Sequence, residues 1–567
     1  MMPLPDRDRI MRDVAKGSDF IRRELRIAPE HKQAEQLSAS ARAISDSSGE
    51  AAGRRVLVLS PRDWAYHTMI EGTLATALSV RGADVAVVSC GGGLDVCDRT
   101  NVHEAPPMPC RSCTKYVEEA VESFGFNHYR MSEYWEASGD DGTWPELFEL
   151  SASELADVEF EGLRLGRLVQ VPSKWFLLAS RSDWDPLSPR MVRKFLVSAR
   201  RTAVALRQII EEFQPDTVLM LSGLFLFESV ALELCRQLGI EAVTYERTYR
   251  QDNLIVRRNA AASHYEISDL WERFADIPLS ATEDAELDSY LSTRRTASHP
   301  FYDFWKGTDT SGEQRSERPD NTGRTVALFT NVTWDSAVVG RERAFSSIHD
   351  WIEATIDAFA HRPNDRLIIR IHPAESKMTG KQTREPLMEF LAVRYPTLPE
   401  NVRVIGPDEP VHSYPIMEAC DVGLAFTSIV GLELALLGKP VIVAGRPHYH
   451  QLGFTNDAAS PDEYRRLLAD ALERPEDHTA DVELARRYAY TFFFRAVAGF
   501  PLANEPVPGL ARLTTTDARD LTPGVSPDID RIIATILSGD PEVANAVRPD
   551  REPESVAVSL PRSQRAS

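Results

Sequence analysis

Several things are missing from this chain, and each omission narrows its function. No run approaches the roughly 18 to 20 apolar residues that a membrane span requires. The opening stretch MMPLPDRDRIMRDVAKG has no apolar core, so it does not read as a secretory signal. A cytoplasmic protein is expected, with peripheral membrane association left open through a lipid-linked partner. Basic residues are short: 64 Lys and Arg against 85 Asp and Glu give a formal charge of -21. A general nucleic-acid or anionic-membrane surface needs the opposite field, so no nucleic-acid partner is expected. The first strand-like run leads into SPRDWAYH rather than a GxGxxG turn, and no Walker A loop occurs. That removes the main support for a dinucleotide oxidoreductase or a P-loop enzyme. Cysteine is scarce too, six in all, yet four fall in one short segment.

What is present is ordinary globular composition, 43% hydrophobic and 26% charged. At 567 residues the chain exceeds what one core serves, so two large domains are expected. A polar, partly helical leader spans 1–53. A first α/β domain follows over 54–305, opening with RRVLVLS (Arg54–Ser60), a helical stretch and ADVAVVS. The same grammar returns in DTVLMLS (Asp216–Ser222) and EAVTYER (Glu241–Arg247). Strand–helix–strand order implies parallel sheets. The polar stretch over 306–323 reads as a linker. A second parallel series spans 324–500: TVALFT, RLIIRIH, VRVIG, VGLAFTS and PVIVAG. An extension over 501–547 and a disordered tail over 548–567 complete the chain. Two such domains leave a cleft between the carboxyl ends of their sheets, where open α/β proteins bind ligands.

Two segments carry the candidate chemistry. In LIIRIHPAES (Leu367–Ser376), Pro373 cannot continue a central strand, so His372 is held at its carboxyl end. Arg370 could face a ligand phosphate, and Glu375 could hold His372 or Arg370 in position or touch the nucleotide-sugar itself; alternatively Arg370 and Glu375 form a local salt bridge and His372 only fills the strand end. In AFTSIVGLELALLGKPVIVAG (Ala425–Gly445), a strand ends at Thr427-Ser428 and a helix follows. Its first amides make an anion site. Gly431 would let a ligand approach the backbone, and Glu433 could accept hydrogen bonds from a ribose diol or simply complement the helix dipole.

The strings RIHPAE (370–375), TSIVGLELALLGKPVIVAG (427–445) and HYHQLGFTND (448–457) resemble the capsule-polysaccharide biosynthesis glycosyltransferases, of which the capsule β-Kdo transferases are one branch. The resemblance spans roughly 324–460. It implies the GT-B architecture: two Rossmann-like parallel-sheet domains facing across a cleft, the C-terminal one holding a nucleotide-sugar donor and the N-terminal one the glycan or lipid-linked acceptor. It also implies that His372 and Ser428 face donor phosphate, Glu433 the ribose, and that Asn331 and Asp335 in FTNVTWDSA are donor-side residues. Glu246, in VTYERTYRQDN, matches an acidic residue near the acceptor, although Arg247 replaces the family's small residue and a Glu246–Arg247 surface pair is an alternative. His67, in WAYHTMIEG, is a second candidate base or acceptor contact. Helix amides, Arg370 and His372 can neutralise a leaving nucleotide without a divalent ion, and Glu246 can take the acceptor hydroxyl's proton.

Cys90, Cys97, Cys110 and Cys113 lie in CGGGLDVCDRTNVHEAPPMPCRSC. Four closely spaced cysteines favour a metal over disulfides in a cytoplasmic chain. Structural zinc is the first expectation and an iron–sulfur cluster the alternative; four reduced thiols without metal would be the plain reading. His103 could replace one ligand. Cys235 and Cys420 read as core. Two further functions share these features: a CDP-polyol phosphotransferase of the teichoic-acid type, and a non-catalytic nucleotide-sugar-binding protein with a metal or redox sensing cluster.

Overall fold

The computed structural model describes residues 28–44, 51–137, 142–181, 185–295, 323–378, 380–507 and 509–538. The expected tail over 548–567, residues 306–322 of the expected linker and residues 1–27 of the expected leader lie outside them.

The first domain runs α1 (Pro29–Ile44), β1 (Arg55–Leu59), α2 (Ala65–Val80), β2 (Asp84–Ser89), α3 (Cys110–Phe124) and β3 (Asn127–Arg130). A largely helical stretch follows, with α4 (Gln170–Leu177) and α5 (Leu187–Phe213). Then come β4 (Thr217–Leu221), α6 (Leu226–Leu238), β5 (Glu241–Arg247), β6 (Asn253–Arg258) and α7 (Ala281–Arg295). The second domain contains β7 (Thr325–Phe329), α8 (Ile348–Ala360), β8 (Arg366–Arg370), α9 (Leu387–Arg394), β9 (Val402–Ile405), β10 (Val422–Ala425), α10 (Val430–Leu436), β11 (Val441–Val443) and β12 (Asn456–Asp457). The chain then returns to the first domain through β13 (Ala498–Gly499) and α11 (Pro527–Leu537).

Both sheets are built from runs that read as continuously apolar because both faces are covered. All five residues of β4 and all four of β10 are buried. The first sheet has the order β13-β6-β5-β4-β1-β2-β3 and the second β12-β11-β10-β7-β8-β9. Neighbours from β3 through β5 pair in parallel, β6 lies antiparallel on β5, and the second sheet is parallel throughout. Strand order reverses between β1 and β4 in the first sheet and between β7 and β10 in the second. Ligands bind at such switch points, beyond the carboxyl ends of the strands.

Those carboxyl ends face one another. Val339, in the loop after β7, packs with Leu224, beyond β4, and with Ala261 and Val171. Trp334 and Ala374 of the second domain pack with Leu178 and Trp175 at the end of α4. This is the two-sheet arrangement that the GT-B expectation called for.

The domain boundaries differ from the sequence-based ones. α1 is not a free leader: Ala34 and Leu37 are fully buried in the first domain's core beside Met69, Leu74 and Tyr116. The stretch after 500 is not an appendage either. Phe500, Ala511, Leu521, Ile532 and Ile533 close the same core against Val56, Leu219 and Val243. Conversely, Leu287 and Tyr290 of α7 pack with Tyr488 to Phe494, so α7 joins the second domain's core.

Candidate functional site

In the second domain, β10, β7 and β8 are adjacent, so the segments that follow them arrive together. The Thr427 amide donates to Asn331 Oδ1 (3.3 Å), and the His372 amide donates to Thr330 Oγ1 (3.0 Å). Pro373 (φ -58°) turns the chain into a helical turn, and the Ala374 amide donates to His372 Nδ1 (3.1 Å). Because Nδ1 accepts, the ring carries its proton on Nε2. Burial, then the nearby Arg370, push its pKa down to about 4, so the imidazole is a neutral donor at pH 7. Thr427 Oγ1 is buried and makes no hydrogen bond among the described residues. Ser428 Oγ accepts from the Val430 amide (3.3 Å), tying down the start of α10.

Asp335 closes the loop after β7. Its carboxylate accepts from the Ala337 amide (3.0 Å) and Ser336 Oγ (3.2 Å), while burial pushes its pKa up. Lys381 stands near it, with Nζ 4.3 Å from the centre of the Trp175 ring in the opposite domain. Burial lowers the Lys381 pKa to about 8.

Four expected donor contacts take other partners. Arg370 is 2% exposed and donates to the Gly406 carbonyl (2.5 Å), beside β9, so its guanidinium is committed inside the sheet. Glu375 Oε1 accepts from the Leu387 amide (3.0 Å) and so caps α9, while its own amide donates to the His372 carbonyl (3.1 Å); burial raises its pKa to about 7. Gly431 is required by packing: a Cβ there would lie 2.1 Å from the Tyr449 hydroxyl. Glu433 is held by Arg294 of α7 (2.9 Å to Nε, 2.8 Å to Nη2) and by the Tyr414 hydroxyl (2.8 Å). It does complement a helix start, but its carboxylate is spent on an ion pair.

In the first domain, Leu221 pairs with Tyr245, which sets Glu246 beside Ser222 at the end of β5. Glu246 is half-buried; Oε1 accepts from the Arg247 amide (2.8 Å) and Oε2 from Ser263 Oγ (2.6 Å). Ser263 Oγ in turn lies 2.7 Å from Ser222 Oγ. Burial raises the Glu246 pKa, with these two bonds and the Arg247 charge opposing it. The alternative of a surface pair does not hold: the Arg247 guanidinium reaches Glu505 (3.0 Å) and lies 4.6 Å over the Tyr66 ring. His67 lies in the first turn of α2, its Nδ1 3.3 Å from the Tyr245 hydroxyl. Burial, then Arg247 and Arg62, lower its pKa to about 3.

Sequence reasoning missed the groups behind His67 and Glu246. Tyr245 donates to Glu71 Oε1 (3.0 Å), whose pKa burial raises to about 8. Arg62, sandwiched against Trp64 (3.8 Å), pairs with Glu228 (2.9 Å) and Asp98 (3.6 Å) in the interior. Glu71 and Glu228 sit inside apolar helical runs, and an acidic residue interrupting such a run was the signal available. Lys381 had none, because a loop lysine is ordinary.

Cys90, Cys97 and Cys113 are buried and Cys110 is half-buried, all as free cysteines. Among the described residues no three His, Cys, Asp or Glu side chains are placed to hold one metal ion. His103 is no substitute ligand; its ring nitrogen Nε2 lies 3.2 Å from the Gln382 carbonyl across the domain boundary. Cys235 and Cys420 are core, as expected. No described helix is long and apolar enough to cross a membrane.

The arrangement invites comparison with known proteins. Residues 244–484, which contain Glu246, Asn331, His372 and Thr427, match the model of the family described as capsule polysaccharide biosynthesis protein. No curated protein matches the chain. Similar solved structures include the Thermosulfurimonas dismutans KpsC β-Kdo 2,4 transferase, 15% identical over 54% of this chain and 87% of that one, with a TM-score of 0.35. The β-Kdo 2,7 transferase from the same organism's KpsC is 15% identical over 50% of this chain and 79% of that one, TM-score 0.31. A UDP-GlcNAc 2-epimerase from Neisseria meningitidis is 12% identical over 77% and 97%, TM-score 0.28. Over residues 244–484, the chain is related to the capsule polysaccharide biosynthesis proteins.

Proposed function

We propose that the protein is a glycosyltransferase of capsule or other surface-polysaccharide biosynthesis, moving a sugar from a nucleotide-activated donor to a glycan or lipid-linked hydroxyl. One observation carries the reading: Glu246 ends a strand at the rim of one crevice, and Asn331, His372 and Thr427 converge at the switch point of the other. The family match spans all four.

In this reading the donor's phosphates lie against the second sheet. His372 offers its Nε2 proton as a neutral hydrogen-bond donor, and the buried Thr427 hydroxyl offers another. Fixed donors of this kind stabilise the charge that grows on a departing nucleotide. Lys381, near the domain boundary, adds a cation without a divalent ion. Glu246 accepts the proton of the attacking hydroxyl, its carboxylate steadied by Ser263 and raised toward a useful basicity by burial. His67 borders the acceptor side as a neutral imidazole, positioned by Tyr245.

The test is turnover of a nucleotide-sugar by Glu246→Gln beside the wild type. The variant should lose about 10²- to 10⁴-fold in kcat while nucleotide binding persists. Since burial raises the pKa of Glu246, kcat/KM should fall with acid above the ordinary carboxylate range, and that limb should vanish in the variant. Full activity of Glu246→Gln would remove the proposed base. Transfer of a phosphate-bearing group, with CMP released, would instead mark a polyol phosphotransferase.

A further inference from the structure

The cysteine segment lies outside the family match and outside the crevice chemistry just described. Its four thiols come together from three places. Cys90 follows β2, Cys97 lies in the loop beyond, and Cys110 and Cys113 occupy the first turn of α3. Gly91, Gly92 and Gly93 all have positive φ (75°, 90° and 92°), a succession that side-chain-bearing residues resist. That turn folds back on α3, so that a Cβ on Gly92 would lie 3.7 Å from Cys110 Cβ. Cys90 is within electrostatic reach of Cys97, Cys110 and Cys113, and Cys97 of Cys113.

Three of the sulfurs also receive backbone amides. The Asp63 amide donates to Cys113 Sγ (3.4 Å), and the amides of Gly92 and Arg99 serve Cys90 and Cys97. The charged groups around the cluster are Arg62, Arg99, Asp63 and Asp98. They are paired among themselves and with Glu228. A packed core has no use for four neighbouring sulfurs, three of them fitted with N–H donors, whereas thiolates bound to metal are stabilised by such bonds.

The spacing discriminates between metals. Tetrahedral zinc with Zn–S of about 2.3 Å needs sulfurs roughly 3.8 Å apart, and no three of these side chains stand that way around one ion. An iron–sulfur cluster interposes its own irons and sulfides, so its four thiolates encircle a wider centre.

We infer that Cys90, Cys97, Cys110 and Cys113 ligate an iron–sulfur cluster that braces the loop between β2 and α3. Ligation replaces four S–H bonds by four Fe–S bonds and releases the thiol protons. The braced loop then reaches the second domain, where Asn101 Nδ2 donates to the Gly380 carbonyl (2.9 Å) close to Lys381. The cluster thereby fixes one edge of the crevice, whatever reaction the crevice performs.

The decisive experiment is iron, zinc and acid-labile sulfide analysis of the full chain purified without oxygen, with its visible spectrum. The inference expects iron and sulfide in equal amounts, about two to four of each per chain, and broad visible absorption that dithionite bleaches. Cys97→Ser and Cys113→Ser should lose both, while Cys235→Ser, on α6 in the same core but outside the group of four, and Cys420→Ser, in the second domain, should retain them. One zinc per chain, or wild-type protein without iron, overturns the inference irrespective of how the variants fold.

Discussion

Glu433 shows how a residue read from its neighbours in sequence acquires a different role from its neighbours in space. The TSIVGLE string suggested a ribose contact, but Arg294 arrives from α7, over a hundred residues earlier in the chain, and takes the carboxylate. Both side chains are largely buried, with side-chain exposures of 8% and 17%, so removing one leaves the other charge stranded. Glu433→Gln is therefore expected to cost about 3–5 kcal/mol of stability in denaturant unfolding, with Arg294→Met giving a smaller loss. A normal stability together with a selective rise in donor KM would instead return Glu433 to the ribose. Glu375, Arg370 and Gly431 repeat the lesson. Their positions at a strand end and a helix start were legible, because Pro373 and the hydroxyl pair Thr427-Ser428 act locally. Their partners (Leu387, Gly406, Tyr449) belong to other elements and left no local mark.

At the scale of elements, the sequence announced the buried strands and was silent on the edges. DTVLMLS, EAVTYER and TVALFT are apolar runs because parallel strands are covered on both faces. NHYR, which forms β3, sits at a sheet edge and has no such run. Nor could local pattern show that the chain re-enters the first domain after 497. The amphipathic α11 looked like an extension, yet Ile532 and Ile533 are each 1% exposed in that domain's core. Ile533→Ala is thus expected to destabilise the first domain by about 2–5 kcal/mol. Hydrogen exchange resolved by peptide should show protection falling in β1 and β4 while β7 and β8 stay protected. Unchanged exchange in β1 would mean that the segment after 500 contributes nothing to this core.

At the scale of the whole molecule, the two sheets meet through polar as well as apolar contacts. Arg181 pairs with Glu385 (2.7 Å) and Arg341 with Glu266 (2.6 Å), while Trp175 lies edge-on to Trp334 (5.3 Å between ring centres). These hold Glu246, the proposed base, and the proposed donor side in register. The crevice was foreseeable from two parallel series in one chain, since both sheets must place their switch points at carboxyl ends. Which loops cross it was not, because Trp175, Lys381 and Asn101 are unremarkable in sequence. The central claim is that the second domain's crevice binds a nucleotide. Thermal unfolding of the wild-type chain with CMP, CDP, UDP and GDP tests it most directly, since a ligand held only by the folded state adds about 2.7 kcal/mol at one hundred times its Kd. A clear rise in Tm with at least one of the four, diminished in Thr427→Val and His372→Ala, is the predicted result. No rise with any of them would contradict the account.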